Sequence, residues 1–519
     1  MGKIKSFLNK INGLSPAAKA SFWFVVSNVM LKGISFITTP IFTRLLGPGD
    51  YGITSVFVSW EGVISVFATL SLAGGVYNVA LSKYEDDVEG YTSSMISLTF
   101  IASLIVYSVC IGINIIMPQL FQLSTLYLLY MWIQTFTNAA ITFWLVRKRY
   151  IYDYKKVIAY TFANAILSPA VAIVAILLFP THAAFAKVIG AGVAGIVIGI
   201  WMAIYWLVKG KTLYKKEYWG HALRFNLPLI PHYLSSTLLN SSDKIMINSI
   251  VGSVEAGLYG ISHSITGMVS IITQAINHSL IPYTMQSIKT KNYKGLKNTI
   301  TICSSLVAVI CIGIMLFARE GILIFATIEY IDAVWFIPPL TMSVLFLFIY
   351  GIVGNIMFYY EKTWQMSAIT IICAAVNIVT NYFGIKYFGY LAAGYTTVLC
   401  SFLKMLLCYL VVRKYEKNIK QIVDIKAFLL MVSLYIGFMA YSMIFYNNIW
   451  LRIALIAVIL LTLLILHKKI IEVFNNMKKK EAVAENYELE KANDENEMDS
   501  IASTSATAHK EENTGLEQN

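Results

Sequence analysis

The chain reads as an all-α integral membrane protein: about fourteen transmembrane helices in two related halves. Three observations carry that expectation. Hydrophobic residues make up 57% of the 519 positions and charged residues 13%, with a mean hydropathy of +0.66, outside the soluble range. The apolar residues gather into fourteen long runs. Finally, Leu45-Leu46-Gly47-Pro48-Gly49-Asp50-Tyr51-Gly52-Ile53 returns as Val251-Gly252-Ser253-Val254-Glu255-Ala256-Gly257-Leu258, so that Gly47, Asp50 and Gly52 map onto Gly252, Glu255 and Gly257 at one constant offset. An internal duplication predicts such an offset.

A bilayer core of about 30 Å and a rise of about 1.5 Å per residue require roughly 20 apolar residues for each helical crossing. The runs fall at 20–39, 55–79, 94–116, 125–146, 157–179, 189–208, 226–250, 258–281, 298–318, 335–358, 367–385, 391–412, 427–446 and 450–467. Residues 1–19 lack a short apolar core ending in a small-residue cleavage site, so the first run reads as a retained anchor. The first lobe then spans 1–208. Residues 209–225, basic and aromatic with Tyr214, Tyr218 and Trp219, read as a cytoplasmic connector at headgroup level and as a hinge between lobes. The second lobe spans 226–412 and two additional helices 413–467. Spans eleven and twelve are separated by only Lys386-Tyr387-Phe388-Gly389-Tyr390, so a re-entrant pair is the alternative to two full crossings. The remaining segment, 468–519, reads as a cytoplasmic tail. It turns rich in Glu, Asn, Ala, Ser and Thr after Lys478-Lys479-Lys480, which predicts disorder from about Glu481, because such a segment buries too little apolar surface to offset its ordering entropy.

Orientation follows from the basic residues. Loops on one side, with the N-terminus and residues 468–480 included, carry 30 Lys and Arg; the other side has Arg44, Lys187, Arg319, Lys386 and Arg452. The richer side is cytoplasmic by the positive-inside rule. The net charge of +12 is thereby explained by membrane orientation, and no continuous basic patch points to nucleic acid. Cys110, Cys303, Cys311, Cys373, Cys400 and Cys408 all fall inside apolar runs without metal-ligand spacing and read as small core residues, so no metal site is expected. No P-loop, nucleophile elbow or other catalytic constellation occurs.

Polar and ionisable side chains within spans are the clues to function, since each costs a few kcal/mol when it faces lipid. The first span carries Asn28, Lys32 and Ser35 on one helical face, and the second carries Glu61. Ser236, Asn240 and Asp243 share a face of the seventh, with Lys244 beside it. The eighth holds the clearest stripe, His263, Thr266, Ser270, Gln274 and Asn277, at steps of three and four. Polar faces on equivalent helices of two repeats suggest a shared cavity, where repeat-built transporters place their site. Lys32, roughly 18 Å along its span, is the deepest cation of the first half. Asp243 and Lys244 have a plain alternative as a pair near a helix end, His263 as a satisfied interface residue, and Lys404 as a snorkelling one. Pro40 and Pro282 read either as breaks that let helices rock or as helix ends, and Pro228 and Pro231 begin the seventh span.

The run Pro40-x-x-x-Arg44-Leu45-Leu46-Gly47-Pro48-Gly49-Asp50-Tyr51-Gly52 after a short basic N-terminus, with Asp243-Lys244 and then Gly252 to Tyr259, resembles the Wzx-type polysaccharide flippases of the multidrug, oligosaccharidyl-lipid and polysaccharide exporter superfamily. The likeness covers roughly residues 10–467 and does not identify a sugar. It implies two pseudo-repeated six-helix lobes around a central, V-shaped cavity, plus two extra helices, and transfer of undecaprenyl-diphosphate-linked sugars from the inner to the outer leaflet of the bacterial cytoplasmic membrane. It further implies lipid-linked oligosaccharide and membrane lipids as partners, with a polysaccharide polymerase and chain-length machinery downstream. A diphosphate needs cations, which Lys32, Lys244 and Arg44 supply, while Asn28, Asn240, Ser270 and Gln274 offer contacts to sugar. Glu61, Asp243 and His263 are candidates for coupling to H+ or Na+, and no other cofactor is expected. Two rival readings stay open. A cation-coupled drug or small-metabolite antiporter of the same fold would show a more apolar cavity, and a glycan polymerase or ligase would need a large outer loop that this chain lacks.

Overall fold

The computed structural model describes residues 16–446, 448, 450–455 and 457, apart from the side chains of several residues in the first helix, Asn28 and Lys32 among them. Within these residues the chain is helical, with no strand. Helices of 21 residues or more follow the first thirteen apolar runs in order: α1 (Pro16–Leu45), α2 (Pro48–Ala68), α3 (Val88–Ile116), α4 (Thr125–Tyr150), α5 (Tyr154–Leu178), α6 (Ala183–Gly210), α7 (Ile230–Ile250), α8 (Ser253–Lys289), α9 (Tyr293–Leu316), α10 (Ile337–Tyr359), α11 (Thr363–Phe388), α12 (Ala392–Tyr415) and α13 (Ile425–Phe445). Beyond its first turns the fourteenth run lies outside the described residues, and so does the tail.

Nine of these helices, α2, α3, α5, α6 and α9 to α13, are long and apolar enough to cross a membrane by composition alone. Among the rest, α4, α7 and α8 are diluted by polar residues such as Gln134 and Asn138, Asn240 and Asp243, and Gln274 and Asn277, most of which line internal cavities. Large apolar side chains instead cover the outer surface, including Ile105 and Val109 on α3, Val197 and Trp201 on α6, and Leu429 and Leu430 on α13. This is the distribution that lipid requires of a multi-pass protein.

Helix neighbours repeat at an offset of six. In the first lobe α1 packs on α5, α5 on α6, α6 on α4, α4 on α3 and α3 on α2; in the second, α7 packs on α11, α11 on α12, α12 on α10, α10 on α9 and α9 on α8. A duplicated sequence has folded twice. The lobes meet along α2, which packs against both α7 and α8, while α13 is added to the second lobe through α9.

Several details differ from the sequence expectation. Pro40 and Pro282 lie inside α1 and α8 rather than at their ends, and each deletes one backbone donor there. The Arg44 guanidinium donates to the Pro40 carbonyl at 2.9 Å. Pro231 occupies the first turn of α7, where the missing N–H has no intrahelical partner to lose. α8 runs for 37 residues, well past its apolar stretch. α11 and α12 are 26 and 24 residues long, each sufficient for a full crossing. Lys187 is placed within α6, not in a loop.

Candidate functional site

The two copies of the repeated motif are helix starts, and they face each other. Asp50 and Glu255 sit in the first turns of α2 and α8, where carboxylates offset the positive ends of the helix dipoles. The glycines permit a backbone-to-backbone crossing. A methyl group added to Gly52 would lie 1.7 Å from the Ser253 carbonyl oxygen, and one added to Gly257 would lie 2.0 Å from that of Pro48. No side chain fits at either position, so the lobes are sealed here. A short helix, Ala318–Phe325, and the 3-10 segment after it, Ile328–Phe336, brace the seal: Thr43 Oγ1 donates to the Phe325 carbonyl at 2.5 Å, Arg44 to that of Ile324 at 3.1 Å, and Tyr330 Oη to that of Leu46 at 2.8 Å. Glu320 of the same helix receives Arg452 through both guanidinium nitrogens, at 2.6 and 2.7 Å. Behind the seal, Lys187 donates to Thr54 Oγ1 at 3.0 Å and lies over the rings of Tyr51 and Phe42.

Away from the seal, each lobe holds a polar cavity. The second lobe's, about 370 Å³, is lined by α7, α8, α10, α11 and α12. At its centre Asp243, 3% exposed, is held by three uncharged donors: Tyr259 Oη at 2.5 Å, Thr397 Oγ1 at 3.0 Å and the Asn381 amide. Asn381 also donates to Asn377 Oδ1 at 3.2 Å, which Ser242 reaches at 2.8 Å. His263 stacks on Tyr259 with ring centroids 6.2 Å apart. Lys404 enters the same cavity from α12, its Nζ 4.5 Å from the Tyr350 ring centre. An anionic carboxylate surrounded by hydroxyl and amide oxygens is a donor set suited to a hard monovalent cation or to a proton, and the lysine with its hydroxyl and amide neighbours suits an anionic or glycan ligand. The first lobe's cavity, about 530 Å³, is lined by α2, α4 and Tyr233 of α7. Glu61 faces it and accepts from Gln134 Nε2 at 3.3 Å.

Residues 17–288 match the family described as polysaccharide biosynthesis protein, which is more than half of the chain. The chain belongs to that family. Among curated relatives of this family member, "Lsg locus putative protein 1" of Haemophilus influenzae is 26% identical over 389 residues, 72% of this chain and 93% of the relative. An uncharacterised membrane protein of Methanocaldococcus jannaschii is 21% identical over 77% of the chain and 99% of its own length. Two solved structures share the fold: the lipid II flippase MurJ in an inward closed conformation (TM-score 0.64, 14% identity, 86% of this chain and 99% of that one) and an inward-facing multidrug resistance MATE family transporter (TM-score 0.58, 15% identity, 75% and 95%).

In this polysaccharide biosynthesis family member, the structure gathers Asn240, Asp243, His263, Ser270 and Gln274 around one cavity. Lys244 is half-buried beside them, close enough to Asp243 and His263 to interact electrostatically with both. Glu61 faces the other cavity, and Arg44 lies at the seal, bound to carbonyls. The side chains of Asn28 and Lys32 lie outside the described residues. Sequence reasoning missed Tyr259, Asn377, Asn381 and Thr397, and left Lys404 aside. The signal for the asparagines was present: Asn377 and Asn381 are four apart on an otherwise apolar helix, and so share a face.

Proposed function

We propose that the chain is a flippase that moves undecaprenyl-diphosphate-linked oligosaccharide units across the bacterial cytoplasmic membrane for surface polysaccharide biosynthesis. The observation that carries the reading is the polar, hydroxyl- and amide-lined cavity of the second lobe, held inside an apolar shell and separated from one membrane face by the α2–α8 seal. With the termini in the cytoplasm, as the basic loops indicate, the seal is at the outer face, and the cavities are loaded from within. The sugar contacts Asn240, Ser270 and Gln274; Lys404 and, from α1, Lys32 meet the anionic linker; the lipid chain stays in the bilayer between the lobes. Asn28 lies one helical turn from Lys32 on the same face. Asp243, with Asn377, Asn381, Thr397 and Tyr259, holds the coupling H+ or Na+, whose release loosens the cluster that joins α7 to α8, α11 and α12. Arg44 and Lys244 act near the exit. The transported glycan then passes to a polymerase and chain-length machinery.

Deleting the gene and identifying the lipid-linked sugar that builds up on the cytoplasmic leaflet tests this directly. The expected result is accumulation of a complete repeat unit on its polyisoprenyl carrier, relieved by the gene in trans. Normal lipid-linked pools combined with lost drug or metabolite efflux would favour the antiporter reading, to which the buried Asp243 cluster would also be suited.

A further inference from the structure

The connector between the lobes is a helix, Lys216–Asn226, docked firmly on the first lobe. Tyr218 and Ala222 are buried beneath it, Tyr218 Oη donates to Asp87 Oδ2 at 2.7 Å, and Trp219 Nε1 donates to Ser94 Oγ at 3.0 Å. Its other face, with Lys83 and Tyr84 from the end of the short helix Val76–Lys83, encloses a groove of about 770 Å³ that Lys216, His221 and Arg224 also line. Glu217 is the one acid in its lining, and Lys215 stands 3.8 Å from that carboxylate. Next to Tyr84, Glu85 and Asp86 are exposed but outside the lining, and Asp87 is spent on Tyr218 and on capping α3 through Gly90 N. Phe225 lines the groove, and the connector also exposes Leu213, Tyr214 and Leu227, a composition that seats a segment at the lipid interface. The groove adjoins the first lobe's cavity. A methyl group on Gly75 would lie 3.4 Å from Phe225 Cε1 on the groove side and 3.1 Å from Oη of Tyr233, which lines the cavity together with Gly74.

We propose that this groove is a docking site for the diphosphate of a polyisoprenyl-diphosphate lipid, occupied before the headgroup enters the cavity. Three permanent cations around an aromatic-flanked depression complement a compact polyanion attached to a chain that must remain in the membrane. Burial, and next the Lys83 ammonium, hold the His221 imidazole below the usual histidine range, and its Nδ1 lies 3.2 Å from Tyr91 Oη. In the empty groove it is therefore neutral at pH 7, and a bound diphosphate adds a reason for it to protonate. The groove sits on docked secondary structure, so its geometry precedes the ligand. The proposal rests on the flippase reading for the identity of the lipid but not for the binding itself.

The test uses the full chain in nanodiscs of zwitterionic lipid, with farnesyl diphosphate as probe and two comparators: inorganic diphosphate, and phosphatidylglycerol built into the disc. The double variant Lys216→Gln/Arg224→Gln changes two exposed side chains and is paired with Lys216→Arg/Arg224→Lys. Charge-assisted hydrogen bonds contribute enough that losing two weakens probe binding by about tenfold or more, while the charge-conserving pair stays within a few-fold of the parent. In a transport assay the neutral pair raises KM and leaves kcat unchanged. Unchanged probe affinity in the neutral pair overturns the proposal. So does phosphatidylglycerol displacing the probe as well as unlabelled farnesyl diphosphate does, which marks a generic anionic-lipid surface. Inorganic diphosphate binding as tightly as the farnesyl form would also sink it, because the lipid would then contribute nothing. If the probe binds as described but the protein moves no lipid-linked glycan, the groove stands and the flippase reading falls. If transport proceeds with the same KM in the neutral pair, the reverse holds.

Discussion

Asp243 concentrates the chemistry of the second lobe at one residue. A carboxylate at 3% exposure is sustained by the donors around it, from Tyr259 on α8, Asn381 on α11 and Thr397 on α12. Because the donors belong to three different helices, the proposed occupancy of the carboxylate by a cation would redistribute bonds that join all of them. Asp243→Asn preserves the side chain's shape and removes its charge. The expected result in proteoliposomes with imposed gradients is a transport rate lower by about tenfold or more, the order of a lost charged hydrogen bond, together with loss of the response to the H+ or Na+ gradient. A variant present at normal abundance that responds to the gradient as the parent does would show that Asp243 is not the coupling site. This residue was visible in the sequence, as an acid inside an apolar run. Of its partners, Asn381 left a signal in its spacing from Asn377, but Tyr259 and Thr397 did not, because isolated Thr and Tyr residues are tolerated in membrane helices for ordinary packing and only become informative once four helices are superimposed on one point.

At the scale of elements, the repeated motif has a mechanical meaning. Gly52 and Gly257 let α2 and α8 cross with backbones touching, so any Cβ there must push the two helices apart. Overpacking of a tight contact costs about 1–3 kcal/mol, enough to lower the ratio of sealed to open states by tenfold or so. Gly52→Ala should accordingly speed the reaction of a single cysteine placed at Ser253 with an impermeant thiol reagent added from the outside. Equal labelling rates with and without Gly52→Ala would mean that the crossing does not control access. The duplication itself could be read from three residues at a constant offset; that they touch across the lobe interface could not, since sequence periodicity carries no information about which helices of different repeats meet. The polar stripe of α8, by contrast, was legible because steps of three and four place Ser270, Gln274 and Asn277 on one side of any helix. α10 then fits that side: Asn355 Nδ2 donates to Asn277 Oδ1 at 3.0 Å, and Gly351 leaves room for the amide.

For the whole molecule, composition and run length were sufficient to predict a helical membrane bundle, because the bilayer leaves few other ways to satisfy a backbone; the two halves came from the repeated motif, and the six-helix lobes from the family resemblance. The helix neighbours that repeat at an offset of six bear that out. The division of polar residues between two cavities was less accessible, since it depends on α7 contributing Tyr233 to one and Asp243 to the other. In the proposed transport cycle, a seal at one end and cavities behind it describe one state of a device that must also open at the sealed end. Gly49 and Ser253 provide the means to hold it shut: a methyl group on Gly49 would lie 3.6 Å from Ser253 Oγ, within reach of a disulfide after substitution of both by cysteine. The decisive measurement is transfer of a fluorescent polyisoprenyl-diphosphate-linked oligosaccharide between leaflets of proteoliposomes containing Gly49→Cys/Ser253→Cys in a cysteine-free background. The account predicts transfer under reducing conditions, its arrest when the disulfide forms, and its return when the bond is reduced; transfer that continues at the same rate with the cross-link complete would contradict it.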